Sequence, residues 1–240
     1  MKKKKRICVI IPSYKVKNFI EKVINKVDFK LIDKVIVVDD CCPEKTGTYL
    51  VRKKYKNVIV LINKKNLGVG GATIRGFKKA IKMKFDLVFK IDGDNQHDPG
   101  DLNKFVNLMS KPGINFCKGT RFTNTNEKKK IPLIRLIGNI VLTYICRINC
   151  RNGNITDVVN GFVGIKLNLL KRLDLDSISN DYFFEEDLLF RVSLVEKSIF
   201  ELPIKAIYND KSNLNPIKTI IPFLLKHLRN FYIRFKHDFL

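Results

Sequence analysis

Hydrophobic and polar positions alternate along the first half of the chain with two distinct periods. Short β-rich apolar runs occur at Ile7–Ile11, Lys34–Val38, Val58–Ile62, Leu87–Ile91 and Asn115–Lys118. Between them lie stretches of helical spacing at Asn18–Val27, Thr48–Tyr55, Gly70–Met83 and Pro99–Met109. Runs this short, separated by helix-period segments, predict strands joined by crossover helices. The expected fold class is therefore α/β, a Rossmann-like, mainly parallel sheet with helices on both faces. Pro12 is expected to stop the first strand, because its nitrogen has no hydrogen to donate.

After Lys130 the pattern changes. Ile131–Ile148 is very apolar, yet it carries Arg135, Asn139, Thr143 and Arg147. Four-residue steps on a helix advance by about 40°, so these four form one slowly rotating polar stripe. The stripe suits either a polar ligand or the polar edge of a core helix. Pro216–Leu240 is also amphipathic. Ile217, Ile221, Leu224, Leu228, Phe231, Phe235 and Phe239 share one face, with Lys226, Arg229, Asn230, Lys236 and His237 mostly opposite. Such a helix either lies on an anionic membrane or packs onto the domain. The expected division is a domain over 1–215 and a basic amphipathic tail over 216–240. No uninterrupted apolar stretch reaches about 18 residues, so no spanning helix is expected.

Charge narrows the partners. The formal net charge of +23 over 240 residues points to an anionic partner. Nucleic acid, acidic lipid and a phosphorylated small molecule all qualify, as does a plain lysine-rich composition. There is no zinc finger and no aromatic-interleaved RNA motif, so charge alone supports a nucleic-acid-binding domain and none is expected. The six cysteines form no metal-ligand spacing. Ile7–Ile11 is too short for a signal-peptide core, so reduced thiols in a cytoplasmic protein are expected.

The chemistry gathers where strands end. Ile91-Asp92-Gly93-Asp94-Asn95-Gln96-His97-Asp98-Pro99 follows an apolar run. Asp92 and Asp94, two residues apart on extended backbone, point to the same side, with Gln96 continuing the series. Gly93 between them leaves room for a ligand. Oxygen ligands of this kind suit Mg²⁺ or Mn²⁺, with substrate phosphates completing the shell. The first two strands end in Pro12-Ser13-Tyr14 and Asp39-Asp40, at the edge where open α/β sheets bind ligands. Asn66-Leu67-Gly68-Val69-Gly70-Gly71 opens a helix, where backbone N–H groups can meet an anion. Glu185, Glu186 and Asp187 begin a helical pattern running to Val195. Acids there either complement the helix dipole or serve an acceptor site.

The ordered set of these motifs resembles the family 2 inverting glycosyltransferases of GT-A fold, in the dolichol-phosphate mannosyltransferase-like branch. Lys118-Gly119-Thr120-Arg121-Phe122, Asp157-Val158-Val159-Asn160-Gly161-Phe162 and Lys211-Ser212-Asn213-Leu214 extend the resemblance to nearly the whole chain. It implies a metal-dependent transfer from a UDP- or GDP-sugar to a polyprenyl phosphate, or to a sugar hydroxyl of a lipid-linked glycan. It places Pro12, Ser13, Tyr14, Asp39, Asp40, Gly70, Asp92 and Gly93 at the donor. Asp92, Asp94 and Gln96 would hold Mn²⁺ or Mg²⁺, and Arg121, Arg135 and Asn139 would face the acceptor phosphate. Catalytic roles would fall to Asp94, Glu186 and Asp187. The protein would sit peripherally at the cytoplasmic face of an anionic membrane. The chain departs from the family pattern at Lys15-Val16, Cys41-Cys42-Pro43 and Asn160.

Overall fold

The computed structural model describes residues 4–122, 133–205 and 216–239; side chains are described from 136 onward and from 221 onward in the last two segments. The polar loop Asn124–Lys130, the motif Lys211–Leu214 and the side chain of Arg135 lie outside the described set.

The sheet begins with β1 (Ile7–Ser13), β2 (Lys34–Asp39), β3 (Val58–Ile62) and β4 (Leu87–Lys90). These four are mutually parallel. They are joined by α1 (Lys17–Asn25), α2 (Thr46–Lys53) and α3 (Gly68–Lys82). Then come α4 (Leu102–Met109), β5 (Phe116–Thr120), α5 (Leu133–Cys150), β6 (Val163–Lys166) and the short α6 (Leu167–Leu170). The chain closes with α7 (Phe184–Val195), β7 (Phe200–Pro203) and α8 (Pro216–Phe239). One seven-stranded sheet results, in the order β3-β2-β1-β4-β6-β5-β7. β6 is antiparallel to both of its neighbours.

β1 shows why the sheet is covered on both faces. Cys8 and Ile10 enter one core cluster with Phe77, Phe184 and Phe190. Ile7, Val9 and Ile11 enter the other with Ile20, Phe89 and Phe105. A strand apolar at every position is buried on both faces, the signature of a parallel α/β sheet.

Pro12 corrects an expectation. The strand runs on to Ser13, with Pro12 opposite Val38 of β2. Ile10 accepts from the Ile91 N–H, so the even-numbered residues of β1 turn their backbone groups toward β4. The β1–β4 ladder ends at Ile10–Lys90, so the missing N–H of Pro12 falls where no partner strand continues. β4 itself ends at Lys90, and the chain beyond it carries Asp92 and Asp94 at the edge where the candidate site lies.

α8 packs onto the domain by its polar side, the reverse of the packing reading of the tail, in which Leu224, Leu228 and Phe231 face the domain. Its polar residues His227, Asn230 and Arg234 are buried, whereas Leu225 is 61 % exposed and Phe239 is 65 % exposed. α5 behaves alike: Asn139 and Thr143 are buried, and Ile140, Val141 and Tyr144 are exposed. The paired helices hold polar groups against the domain and turn an apolar face outward. Among the described residues, no helix is long and apolar enough to cross a membrane.

Candidate active site

The site forms around Lys90, the last residue of β4. Its side chain is fully buried, with Nζ 2.6 Å from Asp92 Oδ1 and 2.8 Å from Glu185 Oε1. Burial alone would push the ammonium pKa down; Asp92 and Glu185 outweigh it and leave the value raised, so Lys90 stays charged. Asp92 is pulled both ways. Burial raises its pKa, but Lys90 and the His97 ring lower it further, and the carboxylate is ionised.

His97 is not placed as a metal ligand. Its Nδ1 accepts from the Asp92 N–H at 3.1 Å, and burial pushes its pKa down to about 4. The ring lies 5.6 Å from that of Phe162, which stacks on Phe105 at 4.1 Å. This aromatic floor sets the height of the Asn160-Gly161-Phe162 segment. A Cβ on Gly161 would come within 2.3 Å of Lys90 Nζ and 2.6 Å of Asp92 Oδ2. Both atoms are side-chain ends, so a methyl group there would push them apart. Gly161→Ala is therefore expected to keep the fold and separate Lys90 from Asp92. A donor-analogue titration should then show nucleotide binding that no longer responds to metal.

Asp94 accepts from the Gln96 N–H at 3.0 Å. Its pKa is pushed up to about 6, first by burial and then by the negative charge of Asp92. Two crowded carboxylates favour a cation. Among the described residues no group of three or more His, Cys, Asp or Glu side chains could hold an ion. An ion held by Asp92 and Asp94, with Gln96 beside them, would take its remaining oxygens from substrate and water. That ligand set fits Mg²⁺ or Mn²⁺ bound together with phosphates.

The other expected donor residues divide. Tyr14 is 38 % exposed at the crevice, and Ser13 Oγ is buried without a hydrogen-bonding partner among the described residues. Gly93 lacks the open room foreseen for it, since a Cβ there would stand 3.2 Å from Ile11, Pro12 and Val16. Both oxygens of Asp39 are engaged by the chain itself, accepting from the Cys42 N–H at 2.7 Å and from the Gly47 N–H. Asp40 Oδ1 accepts from Asn63 Nδ2 at 2.6 Å and the Leu67 N–H at 2.8 Å. Asp40 Oδ2 takes no part in these bonds.

Gly70 does not present an open helix end to an anion. A Cβ there would lie 2.3 Å from the Ser179 carbonyl oxygen, and one on Gly68, at φ +81°, 2.4 Å from that of Asn180. The Gly71 N–H already donates to the Asn180 carbonyl at 3.0 Å. These glycines admit the chain that leads into α7.

The expected acceptor residues converge on a carboxylate. Arg121 makes a two-pronged contact with Asp157, Nε to Oδ2 at 2.7 Å and NH2 to Oδ1 at 2.8 Å. Asn139 Nδ2 donates to Asp157 Oδ1 at 3.0 Å, and Lys118 Nζ donates to the Asp157 carbonyl. Burial would raise the Asp157 pKa; Arg121, Lys118 and Asn139 hold it well below the usual carboxylate range. Arg147 Nε donates to the Ile155 carbonyl at 2.6 Å. From Asn139 onward, the polar stripe of α5 is thus satisfied by Ile155–Asp157, the core-edge alternative.

Glu186 and Asp187 also differ from their expected place. Glu186 is 1 % exposed with Oε2 2.7 Å from His227 Nε2. Asp187 is fully buried and accepts from Ser179 N–H and Oγ, Arg229 and Asn230. Successive helical residues point about 100° apart, so only one acid of the three can look into the crevice. That one is Glu185. Lys90 was given no role by the sequence, and Glu185 was read only as one of three acids serving the helix dipole or an acceptor site, although a lysine closing an otherwise apolar central strand needs a buried counter-charge.

A mostly parallel α/β sheet with one inserted antiparallel strand, carrying an acidic pair against a buried lysine at its strand ends, has the GT-A fold. The chain belongs to glycosyl transferase family 2, whose model matches residues 8–174. It is 29 % identical, over 91 % of its length and 92 % of the relative's, to a UDP-N-acetylglucosamine–dolichyl-phosphate N-acetylglucosaminyltransferase of Methanococcus voltae. It is 27 % identical, over 83 % of its length and 82 % of the relative's, to an undecaprenyl-phosphate mannosyltransferase of Micrococcus luteus. Glucosyl-3-phosphoglycerate synthase of Mycobacterium tuberculosis, solved with UDP, shares the fold: TM-score 0.69, 19 % identity, 93 % of this chain and 80 % of that one. A second structure of that synthase holds Mn²⁺, UDP and glucosyl-3-phosphoglycerate, at TM-score 0.68 and 18 % identity, again over 93 % of this chain and 80 % of that one. The protein is a family 2 glycosyltransferase.

Proposed function

We propose that the protein moves a sugar from a UDP- or GDP-sugar to a polyprenyl-phosphate-type lipid, with a divalent metal at Asp92, Asp94 and Gln96. The observation that carries the acceptor class is the fate of the α7 acids. Glu186 and Asp187 are buried against α8, and Glu185 is bound to Lys90. A sugar hydroxyl acceptor needs a base to take its proton. A phosphate acceptor is already ionised at neutral pH and needs none. The relatives named above, which use dolichyl and undecaprenyl phosphates, support the same acceptor class.

In this reading Asp92 and Asp94 hold the metal and Lys90 fixes the Asp92 carboxylate. A bound Mn²⁺ or Mg²⁺ would supply charge stabilisation to the departing diphosphate. The base and ribose lie toward Tyr14 and Asp40 Oδ2. A panel of UDP- and GDP-sugars, scored by nucleoside diphosphate release with lipid phosphate and with or without Mn²⁺, tests the assignment. Release from one donor, dependent on both lipid and metal, is expected. Full turnover in excess EDTA refutes the metal role.

The outward apolar face of α5 and α8 suits a lipid acceptor. We read it as the surface that rests on an anionic membrane at the cytoplasmic face, with Arg151 and Lys236 among its nearby cations. Leu228 and Phe231 are more than half exposed, so Leu228→Glu with Phe231→Glu should leave the melting temperature near that of wild type. Co-sedimentation with anionic liposomes should be lost. Retained sedimentation in the double variant would reject this surface.

A further inference from the structure

The acids that open α7 divide between two neighbours, and the division ties the tail helix to the transfer site. Glu185 reaches inward to Lys90 at 2.8 Å. Glu186 turns the other way, to His227 of α8 at 2.7 Å, and both of these side chains are buried. Asn149 Nδ2 stands 3.3 Å from His227 Nδ1 and donates to the His227 carbonyl at 3.2 Å. An amide NH₂ only donates, so the ring nitrogen facing it accepts and Nε2 carries the proton; Nε2 lies against the Glu186 carboxylate without the alignment of a hydrogen bond.

The first turn of α7 has no cap of its own: Phe183, at the N-cap position, makes no side-chain bond to it. Tertiary contacts hold it instead. Asp187 takes Arg229 NH2 at 2.8 Å and Asn230 Nδ2 at 3.2 Å. The Phe183 ring meets Phe223 edge-on at 5.2 Å and the His227 ring at 4.9 Å. Lys226 reaches Asp181 at 2.5 Å. Every side chain from α8 in this grip belongs to one stretch, 223–230.

We infer that His227 is a positioning residue for sugar transfer: through Glu186 it fixes the rotation of the first turn of α7, and so the place of Glu185 against Lys90 and Asp92. The inference rests on the reading of Asp92 and Asp94 as the diphosphate and metal end of the site. A small rotation of α7 would draw Glu185 from Lys90 and let the ammonium follow, releasing the Asp92 carboxylate from its present direction. Misplacement by about 1 Å at a reacting centre can cost as much as a hundredfold in rate.

The test uses the full chain carrying His227→Ala, His227→Gln, Glu185→Gln, and the double variant His227→Ala with Glu185→Gln. Steady-state kinetics, thermal melting and Mn²⁺ binding in the presence of UDP, followed by electron paramagnetic resonance, are measured for each. His227→Ala should lower kcat about tenfold or more and weaken Mn²⁺ binding severalfold, while the donor KM stays within about twofold. His227→Gln, which still reaches Glu186, should recover most of the loss. Glu185→Gln should cost little more in the His227→Ala background, because both act at one point. His227→Asn, too short to meet Glu186, replaces the alanine variant if that does not fold. Losses that multiply in the double variant overturn the inference. So does a folded His227→Ala protein with wild-type kcat and Mn²⁺ affinity. Wild-type protein that turns over no donor defeats the functional reading instead, and the Mn²⁺ titration then decides the inference alone.

Discussion

Asp94→Asn is expected to abolish transfer, by about a thousandfold or more in kcat/KM, and to leave a protein that melts no lower than wild type. The rate loss follows from removing a ligand of the ion that stabilises several kcal/mol of developing charge, where about 1.4 kcal/mol is tenfold. The stability outcome follows from crowding. Asp94 is pushed up by burial and by Asp92, so its carboxylate opposes folding rather than supporting it. Asp92→Asn should differ. It also stops transfer, but it takes one of two counter-charges from the buried Lys90, and its melting temperature should fall. Kinetics with Mn²⁺ and calorimetry in EDTA, on each of the two variants, separate these roles. Equal melting temperatures for both would contradict the ion-pair geometry around Lys90.

Arg121→Ala is expected to destabilise the protein by about 3–5 kcal/mol, the usual cost of stranding one partner of a buried pair. Asp157 is fully buried, and Arg121 supplies both of its charge-assisted bonds. The pH dependence carries a sign. The folded Asp157 pKa lies below its ordinary value, so the pair contributes stability above the unfolded value, near pH 4, and loses it as pH falls toward the folded one. Wild-type stability should therefore decline below about pH 4, and Arg121→Ala should flatten that decline. Urea unfolding across pH 3–7 measures both. An Arg121→Ala protein as stable as wild type, with impaired use of lipid phosphate alone, would return the arginine to the acceptor site.

The sequence showed the half of the fold built on local period. The strand end at Asp39, and those beside Asp92 and the Pro12-Ser13-Tyr14 segment, were legible because apolar runs stop where the sheet meets solvent. β6 and β7 were not, since Val163–Lys166 is interrupted by Gly164 and Phe200–Pro203 by Glu201 and Pro203, leaving no apolar run to read as a strand. The expected helix start at Gly70 fell two residues late, because Gly68 enters α3 through a positive φ that only the approach of Asn180 explains.

Side-chain partners from distant elements were harder still. Arg121 and Asn139 were expected to face an acceptor phosphate, whereas in the structure both bind the carboxylate of Asp157. The acids of α7 were recognised as a cluster, yet which one faces the crevice depends on helix phase against α8. The tail's amphipathicity was plain, and its orientation was not. Period alone does not say that His227, Asn230 and Arg234 turn inward, because the groups that receive them, Glu186, Asp187, the Asn149 carbonyl and Ser193 Oγ, lie elsewhere in the chain. A lysine at position 90 and a glycine at 161 were individually unremarked; only the fold shows that the first leaves no room for a side chain on the second.

The acceptor decides the reading most directly. The full chain, Mn²⁺ and its preferred nucleotide sugar are incubated with a polyprenyl phosphate or with the matching polyprenyl alcohol, in the same anionic vesicles. Products are followed by nucleoside diphosphate release and mass spectrometry of the lipid. Transfer to the phosphate and not to the alcohol is the predicted result, with one sugar added per lipid phosphate. Equal transfer to the alcohol would demand a base that Glu186 and Asp187 are not placed to supply, and would contradict a phosphate acceptor.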